Sequence, residues 1–441
     1  MTDFLFNLLF FLIALGILVT FHEWGHFIAA RKLGVKVLRF SVGFGKPLWR
    51  HVGKDGVEYV VAGIPLGGYV KMLDEREGDV PETVRAQAFN RQALWKRNVI
   101  VAAGPMANFI LAVVVYFVMY LSGTWVFKPI IDKPLEPSIA SAAGLQRNDQ
   151  IIAVDGNPVS SWNEVVWSLV ERLGEEGTIA LEVKDWQSNR MRTVELNIND
   201  WQVDDRRPDP LGSLGLTQIK SIDAFVYELE PGGAAERAGM RRGDLITQLN
   251  QQAISNFNDV RRFMLEVKSA APIAVTVLRD GRSVNLEVTP KAVEQNWLLG
   301  IKVYSYFEYE SAGVMGSMKL AFDKTADVIA LTGTMFKKLL VGEVSTKSLG
   351  GPLSIAEGAG SSARGGWAYF LGFLGIISVN LGLINLLPVP MLDGGHLLFN
   401  TIEWIKGKPL SEAAQEYGLR IGMVLVFGLM AIAIFNDIAR L

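Results

Sequence analysis

A chain of 441 residues, half of them apolar and a fifth charged, with a net charge of −2, has room for several folding units and leans toward a membrane class. The near-zero charge removes the general electrostatic reason to expect a nucleic-acid partner. Without cysteine, disulfides and thiolate ligands are excluded, so a metal site must draw on the four histidines and the carboxylates.

The first of four long apolar stretches, Phe4 to Ala30, exceeds the ~20 residues that a helix needs to cross hydrocarbon. It lacks a basic start, carries Asp3 ahead of its apolar run and ends in a charged motif, so it does not read as a cleaved signal peptide. That motif is His22-Glu23-Trp24-Gly25-His26. Its two histidines, at i and i+4, share one helical face at a spacing that one metal ion can bridge. Zinc lowers the pKa of a bound water to about 7, and an adjacent glutamate is placed to take that proton and deliver it to a leaving amine. Ionisable groups inside a spanning helix cost about a few kcal/mol each, so three together point to function.

The loop from Arg31 to Arg97 holds 13 Lys and Arg against 7 Asp and Glu, which places it in the cytoplasm and the N-terminus outside. Within it, Arg39 to Gly45 and Tyr59 to Val70 read as strands interrupted by glycine, Gly43 and Gly45 among them. A second apolar stretch, Val99 to Val126, follows.

From about Phe127 to Lys291 the chain repeats itself at a constant offset of 95 residues. Ala143-Gly144-Leu145 recurs as Ala238-Gly239-Met240, Arg147 as Arg242, Asp149 as Asp244, Ile151 as Ile246, and Trp162-Asn163 as Phe257-Asn258. Each copy reads as short strands with one helix and resembles the PDZ domain, a small α+β module that takes an extended peptide onto a sheet edge. Met315, Met318, Phe322, Ile329, Phe336 and Leu340 then recur near helical spacing beside charged residues, as in a helix at the membrane surface.

The third and fourth apolar stretches are Trp367 to Leu387 and Leu419 to Ile434. A zinc protease normally uses three protein ligands and leaves one position for water. Just beyond the third stretch, Leu392-Asp393-Gly394-Gly395-His396 offers Asp393 as the best third ligand and His396 as the alternative on chemistry alone. His51 lies isolated in a polar loop and reads as a surface histidine.

Together these features resemble the site-2 protease family of intramembrane zinc metalloproteases. The motifs are His22 to His26, the segment Asn385-Leu386-Leu387-Pro388-Val389-Pro390-Met391-Leu392-Asp393-Gly394, and the two repeats between them. The resemblance implies that Zn2+ is held by His22, His26 and Asp393, with Glu23 as general base. It places Asn385 beside the substrate, with Pro388 and Pro390 shaping the same wall, and it implies a membrane-dipping β-hairpin-like element around Gly43 and Gly45 that pairs with unwound substrate. Asn385 either hydrogen-bonds a substrate carbonyl or steadies the developing oxyanion. Expected substrates are a single-pass anti-sigma factor and remnant signal peptides, cut within the lipid bilayer.

The expected architecture is a polytopic α-helical membrane protein of four spans with two tandem α+β PDZ-like domains. Residues 1–126 carry the first two spans and the β-like loop, 127–220 and 221–291 the PDZ-like domains, 292–365 an amphipathic connector and 366–441 the last two spans. The expected location is a bacterial inner membrane, with the PDZ-like domains and both termini periplasmic and the site toward the cytoplasm. Two other readings are a non-enzymatic membrane adaptor, in which the repeats do the binding, and a transporter using His22, Glu23, His26 and Asp393 as a midplane pathway.

Overall fold

The computed structural model describes residues 2–440 except Glu77, 186–189, 205–207, 220–223, Asp280, 294–295 and 304–306. The chain forms two units, one built chiefly from Met1–Thr124 and Glu310–Leu441, the other from Trp125–Asp204 and Asp209–Tyr309.

The first unit begins with helix α1 (Thr2–Lys32), whose Asp3 and Arg31–Lys32 sit at the ends that suit the helix dipole. Gly34, at φ +84°, turns the chain out of it. Strands β1 (Val37–Val52) and β2 (Glu58–Met72) follow. The expected β-hairpin is more folded than a two-stranded ribbon. The first half of β1, Val37–Val42, lies between Gly68–Met72 on one side and Glu58–Val61 on the other, while Pro47–Val52 pairs with Glu58–Ala62. Glycines at positive φ, Gly43 (+92°), Gly45 (+88°) and Gly67 (+153°), let each strand bend back in this way. Helix α2 (Leu94–Leu121) is the second span. It stops five residues short of the expected Val126, because Ser122 and Gly123 (φ +75°) leave the helix and Thr124–Phe127 is extended.

The second unit contains two four-stranded antiparallel sheets. One holds β3 (Asp149–Val154), β4 (Asn157–Pro158), β5 (Thr178–Asp185) and β6 (Met191–Asn197) in the order β4-β3-β5-β6, with helix α3 (Trp162–Glu171). After strand β7 (Val226–Leu229), the other holds β8 (Leu245–Leu249), β9 (Gln252–Ala253), β10 (Ile273–Arg279) and β11 (Arg282–Val288) in the order β9-β8-β10-β11, with helix α4 (Phe257–Glu266). Ser161 and Asn256, 95 positions apart, cap the two helices by accepting from the backbone N–H of Glu164 and Asp259. Each sheet has its own core, one around Ile151, Leu169 and Leu181, the other around Ile246, Val275 and Val277. Strand β12 (Ile301–Val303) pairs with β7, so this unit extends beyond residue 291 to Tyr309.

The chain completes the first unit with helices α5 (Gly313–Val341), α6 (Pro352–Gly365), α7 (Trp367–Leu386), α8 (Asp393–Lys406) and α9 (Glu412–Arg440). Helix α5 covers the stretch expected as an amphipathic helix at the membrane surface, and it packs on α2 and α7, where Thr332 Oγ1 donates to Asn380 Oδ1 at 2.8 Å. Helices α1, α2 and α7 meet around Leu18, Leu111, Val115, Phe370 and Leu374. Helices α1, α2, α7 and α9 are long and apolar enough to cross a membrane. Their outward residues include Phe4, Ile110, Val424 and Phe435, all more than half exposed, which suits a hydrocarbon surround in which the helices satisfy their backbone groups internally.

Candidate metal centre

His22, Glu23 and His26 lie on α1 ten or fewer residues from its C-terminal end. Glu23 and His26 are each only 9% exposed. What buries them is a close crossing with α2. A Cβ on Gly25 would overlap the carbonyl of Ala103, and one on Gly104 would overlap the imidazole of His26. Small residues at both points let the two backbones approach. The β2 residue Gly68 closes another side, since a Cβ there would come 2.9 Å from Glu23 Cγ.

Asp393 reaches the same place from the other end of the chain. It opens helix α8, in the first turn, where a carboxylate suits the helix dipole. The preceding loop is wound tightly. Leu392 N–H donates to Val389 O at 3.0 Å, Met391 adopts φ +106°, and side chains on Gly394 or Gly395 would collide with the carbonyls of Leu386, Leu387 and Val389. Gly422 of α9 leaves room for the Pro390 carbonyl in the same way.

The result is a triangle of donor atoms. His22 Nε2 is 3.3 Å from His26 Nε2 and 3.2 Å from Asp393 Oδ2, and His26 Nε2 is 3.4 Å from that oxygen. Ligands about 2.0–2.1 Å from a tetrahedral zinc stand about 3.3–3.4 Å apart, so the triangle has the dimensions of one face of a zinc tetrahedron. Asp393 Oδ2 is buried and receives no hydrogen bond, which would be costly unless a cation completes the site. The donor set is the two imidazoles and one carboxylate that zinc accepts with a position left for water. Among the described residues this is the group of His, Asp and Glu side chains placed to hold a metal.

The other ring nitrogens face α2. His26 Nδ1 donates to the Ile100 carbonyl at 2.9 Å, and His22 Nδ1 lies 3.1 Å from the side-chain amide of Asn108. Sequence reasoning missed Ile100, Gly104 and Asn108, which fall four apart on one face of α2. The available signal was an amide inside an apolar span, four residues after a glycine.

The remaining expected residues are placed as follows. His396 is on α8 but outside the triangle, lining a small polar cleft with Arg76, Arg97 and Glu403. Asn385 is half-buried in the last turn of α7, and Pro388 and Pro390 lie in the loop leading to Asp393. Gly43 and Gly45 lie at the bend of β1 against Ala62 and Ile64, and the residue of this sheet that meets Glu23 is Gly68. His51 is exposed and stacks on Trp49.

The model of peptidase family M50 matches residues 10–429. Over the full length of both chains, the sequence is 45% identical to a Vibrio cholerae protein named as a zinc metalloprotease. It is 40% identical, again over the whole of each chain, to the regulator of sigma-E protease RseP of Escherichia coli strain K12 and to protease RseP of Yersinia pestis. With the match running from within the first span to within the last, the chain belongs to peptidase family M50 and is a membrane zinc metalloprotease of the site-2 type.

Proposed function

We propose that this metalloprotease hydrolyses peptide bonds inside the transmembrane segments of single-pass proteins, with zinc on His22, His26 and Asp393 and Glu23 as general base. The observation that carries this reading is the triangle of donor atoms 3.2–3.4 Å apart, with Asp393 Oδ2 buried and lacking a hydrogen bond, on helices of membrane-spanning character. Zinc held there supplies Lewis acidity, making a water molecule nucleophilic near neutral pH and polarising the scissile carbonyl. The carboxylate of Glu23, on the same turn as both histidines, accepts the water proton and passes it to the leaving amine.

A transmembrane helix closes its own backbone hydrogen bonds, so the substrate has to be opened before its carbonyl is attacked. The segment Gly68–Met72, paired on one side with Val37–Val42 and touching Glu23 at Gly68, offers its other edge to an extended chain. Gly43 and Gly45 shape that sheet, and Asn385, Pro388 and Pro390 form the facing wall. Asn385 binds a substrate carbonyl or the developing oxyanion there.

The basic loop between the first two spans puts the metal end of α1 on the cytoplasmic side of a bacterial inner membrane, with the second unit and both termini periplasmic. The two sheets of that unit act as PDZ-like modules that admit substrates already shortened outside. Because relatives are named regulators of sigma-E protease, the substrate class is a single-pass anti-sigma factor, with remnant signal peptides as further short substrates.

The test is cleavage of a model single-pass substrate by the detergent-purified protein, followed by mass spectrometry. Cleavage within the apolar segment is expected to disappear with a zinc chelator and to fall about 10²–10⁴-fold in Glu23→Gln, which keeps its zinc. Cleavage that survives both treatments sinks the reading. Deleting the second unit, residues 125–309, is expected to admit intact substrates, and unchanged selectivity between intact and trimmed forms removes the filter.

A further inference from the structure

The two histidines of the triangle are held differently at their second nitrogen. His26 Nδ1 faces the Ile100 carbonyl, which can only accept, so Nδ1 carries the proton and Nε2 keeps its lone pair for the triangle. His22 presents Nε2 to the same triangle. For that atom to be a ligand, His22 Nδ1 must also carry a proton, and a buried N–H needs an acceptor.

The neighbour of His22 Nδ1 is Asn108, whose side chain is fully buried. As placed, Nδ2 of the amide lies 3.1 Å from His22 Nδ1, while Asn108 Oδ1 is buried without any partner. Two donors then face each other and an acceptor is stranded, and a buried polar group left unpaired is costly. Rotating the amide by 180° exchanges oxygen and nitrogen and removes the conflict at His22. Asn108 is fixed from behind by α7, where the buried Ser378 hydroxyl donates to the Asn108 backbone carbonyl at 2.7 Å.

We propose that Asn108 is a positioning residue whose side-chain carbonyl accepts the His22 Nδ1 proton and so locks His22 in the tautomer that presents Nε2 to the metal. This rests on His22 being a zinc ligand. With Ile100, it makes one face of α2 the orienting surface for both histidines.

The test is zinc affinity of the full-length protein in detergent, measured by chelator competition, together with the melting temperature of the zinc-free form. Asn108→Leu, similar in size but unable to accept, is expected to bind zinc about 10–100-fold more weakly while the zinc-free melting temperature holds. Asn108→Asp, which can accept but not donate, is expected to bind zinc at least as tightly as wild type. The proposal is overturned if Asn108→Leu retains wild-type affinity, or if Asn108→Asp weakens binding as leucine does. Should the leucine variant fail to fold, the aspartate variant decides alone. A wild-type protein without stoichiometric zinc would overturn the ligand assignment itself, and a wild-type protein with zinc and an unaffected leucine variant would overturn only the role of Asn108.

Discussion

Asp149 and Asp244 in the second unit and Asp393 in the first all bury carboxylate oxygen, and the surroundings of Asp393 differ in kind from those of the other two. In the second unit, Asp149 and Asp244 are completely buried and fully partnered. Arg192 donates twice to Asp149, at 2.8 and 2.5 Å, and Arg279 twice to Asp244, at 2.7 Å each. Each carboxylate also accepts a backbone N–H three residues back, from Gln146 or Arg241, and each arginine reaches on to the carbonyl of Gly144 or Gly239. These charges are satisfied, and the recurrence of the two aspartates at 95 residues reflects how the loop before each sheet is tied down. Asp393 in the first unit accepts no hydrogen bond at Oδ2 and instead faces two imidazole nitrogens. A satisfied buried charge serves the fold, whereas an unsatisfied one facing further lone pairs is arranged for something that binds.

Exchanging each acid for its amide separates the two cases. Asp393→Asn is expected to bring zinc content and cleavage down to the level of chelator-treated protein, while the zinc-free melting temperature changes little, because Oδ2 accepts no hydrogen bond. A fall in zinc-free stability comparable to that of an ion-pair mutant would erase the contrast.

Asp149→Asn is expected to do the reverse. Its arginine is about a third exposed, so the loss should stay below that of a fully buried pair, at about 2–3 kcal/mol. Faster hydrogen exchange in β3, β5 and β6 would report it, with zinc content and cleavage of a short substrate unchanged. Reduced zinc content in this variant would count against separate roles.

The smallest effect sharpens the metal side. Gly104→Ala puts a Cβ where the His26 ring lies, and the ring cannot shift without leaving the triangle. Zinc affinity is expected to drop about 10-fold, as read by chelator competition, with little change in the zinc-free protein. An unaltered affinity would mean that α1 and α2 cross less closely than described.

Much of the site was legible in the sequence because it is local. Helical spacing alone put His22 and His26 on one face, with Glu23 between them, and apolar length marked the helices that carry them. Local signals in the second unit were legible for a similar reason, since caps such as Ser161 and Asn256 and turn residues such as Gly144 and Gly239 act within a few positions. The β-like loop was read only as far as its strands. Its four-segment register depends on bends at Gly43, Gly45 and Gly67, and glycine signals that a bend is possible without saying which segments then meet.

The sequence by itself determined the spans, the two histidines with their glutamate, and a short choice of third ligands, because these follow from periodicity along one helix. The resemblance to a known family favoured Asp393 over His396, but the residues alone left both open, three positions apart on the same helix. Tertiary structure decided the rest. The winding of residues 387–392 over Gly394 and Gly395 aims Asp393 rather than His396 at the histidines. The crossing at Gly25 and Gly104 brings Ile100 and Asn108 against their far nitrogens. Which face of one helix meets another is set by the packing of whole surfaces, and no spacing within a single helix contains it.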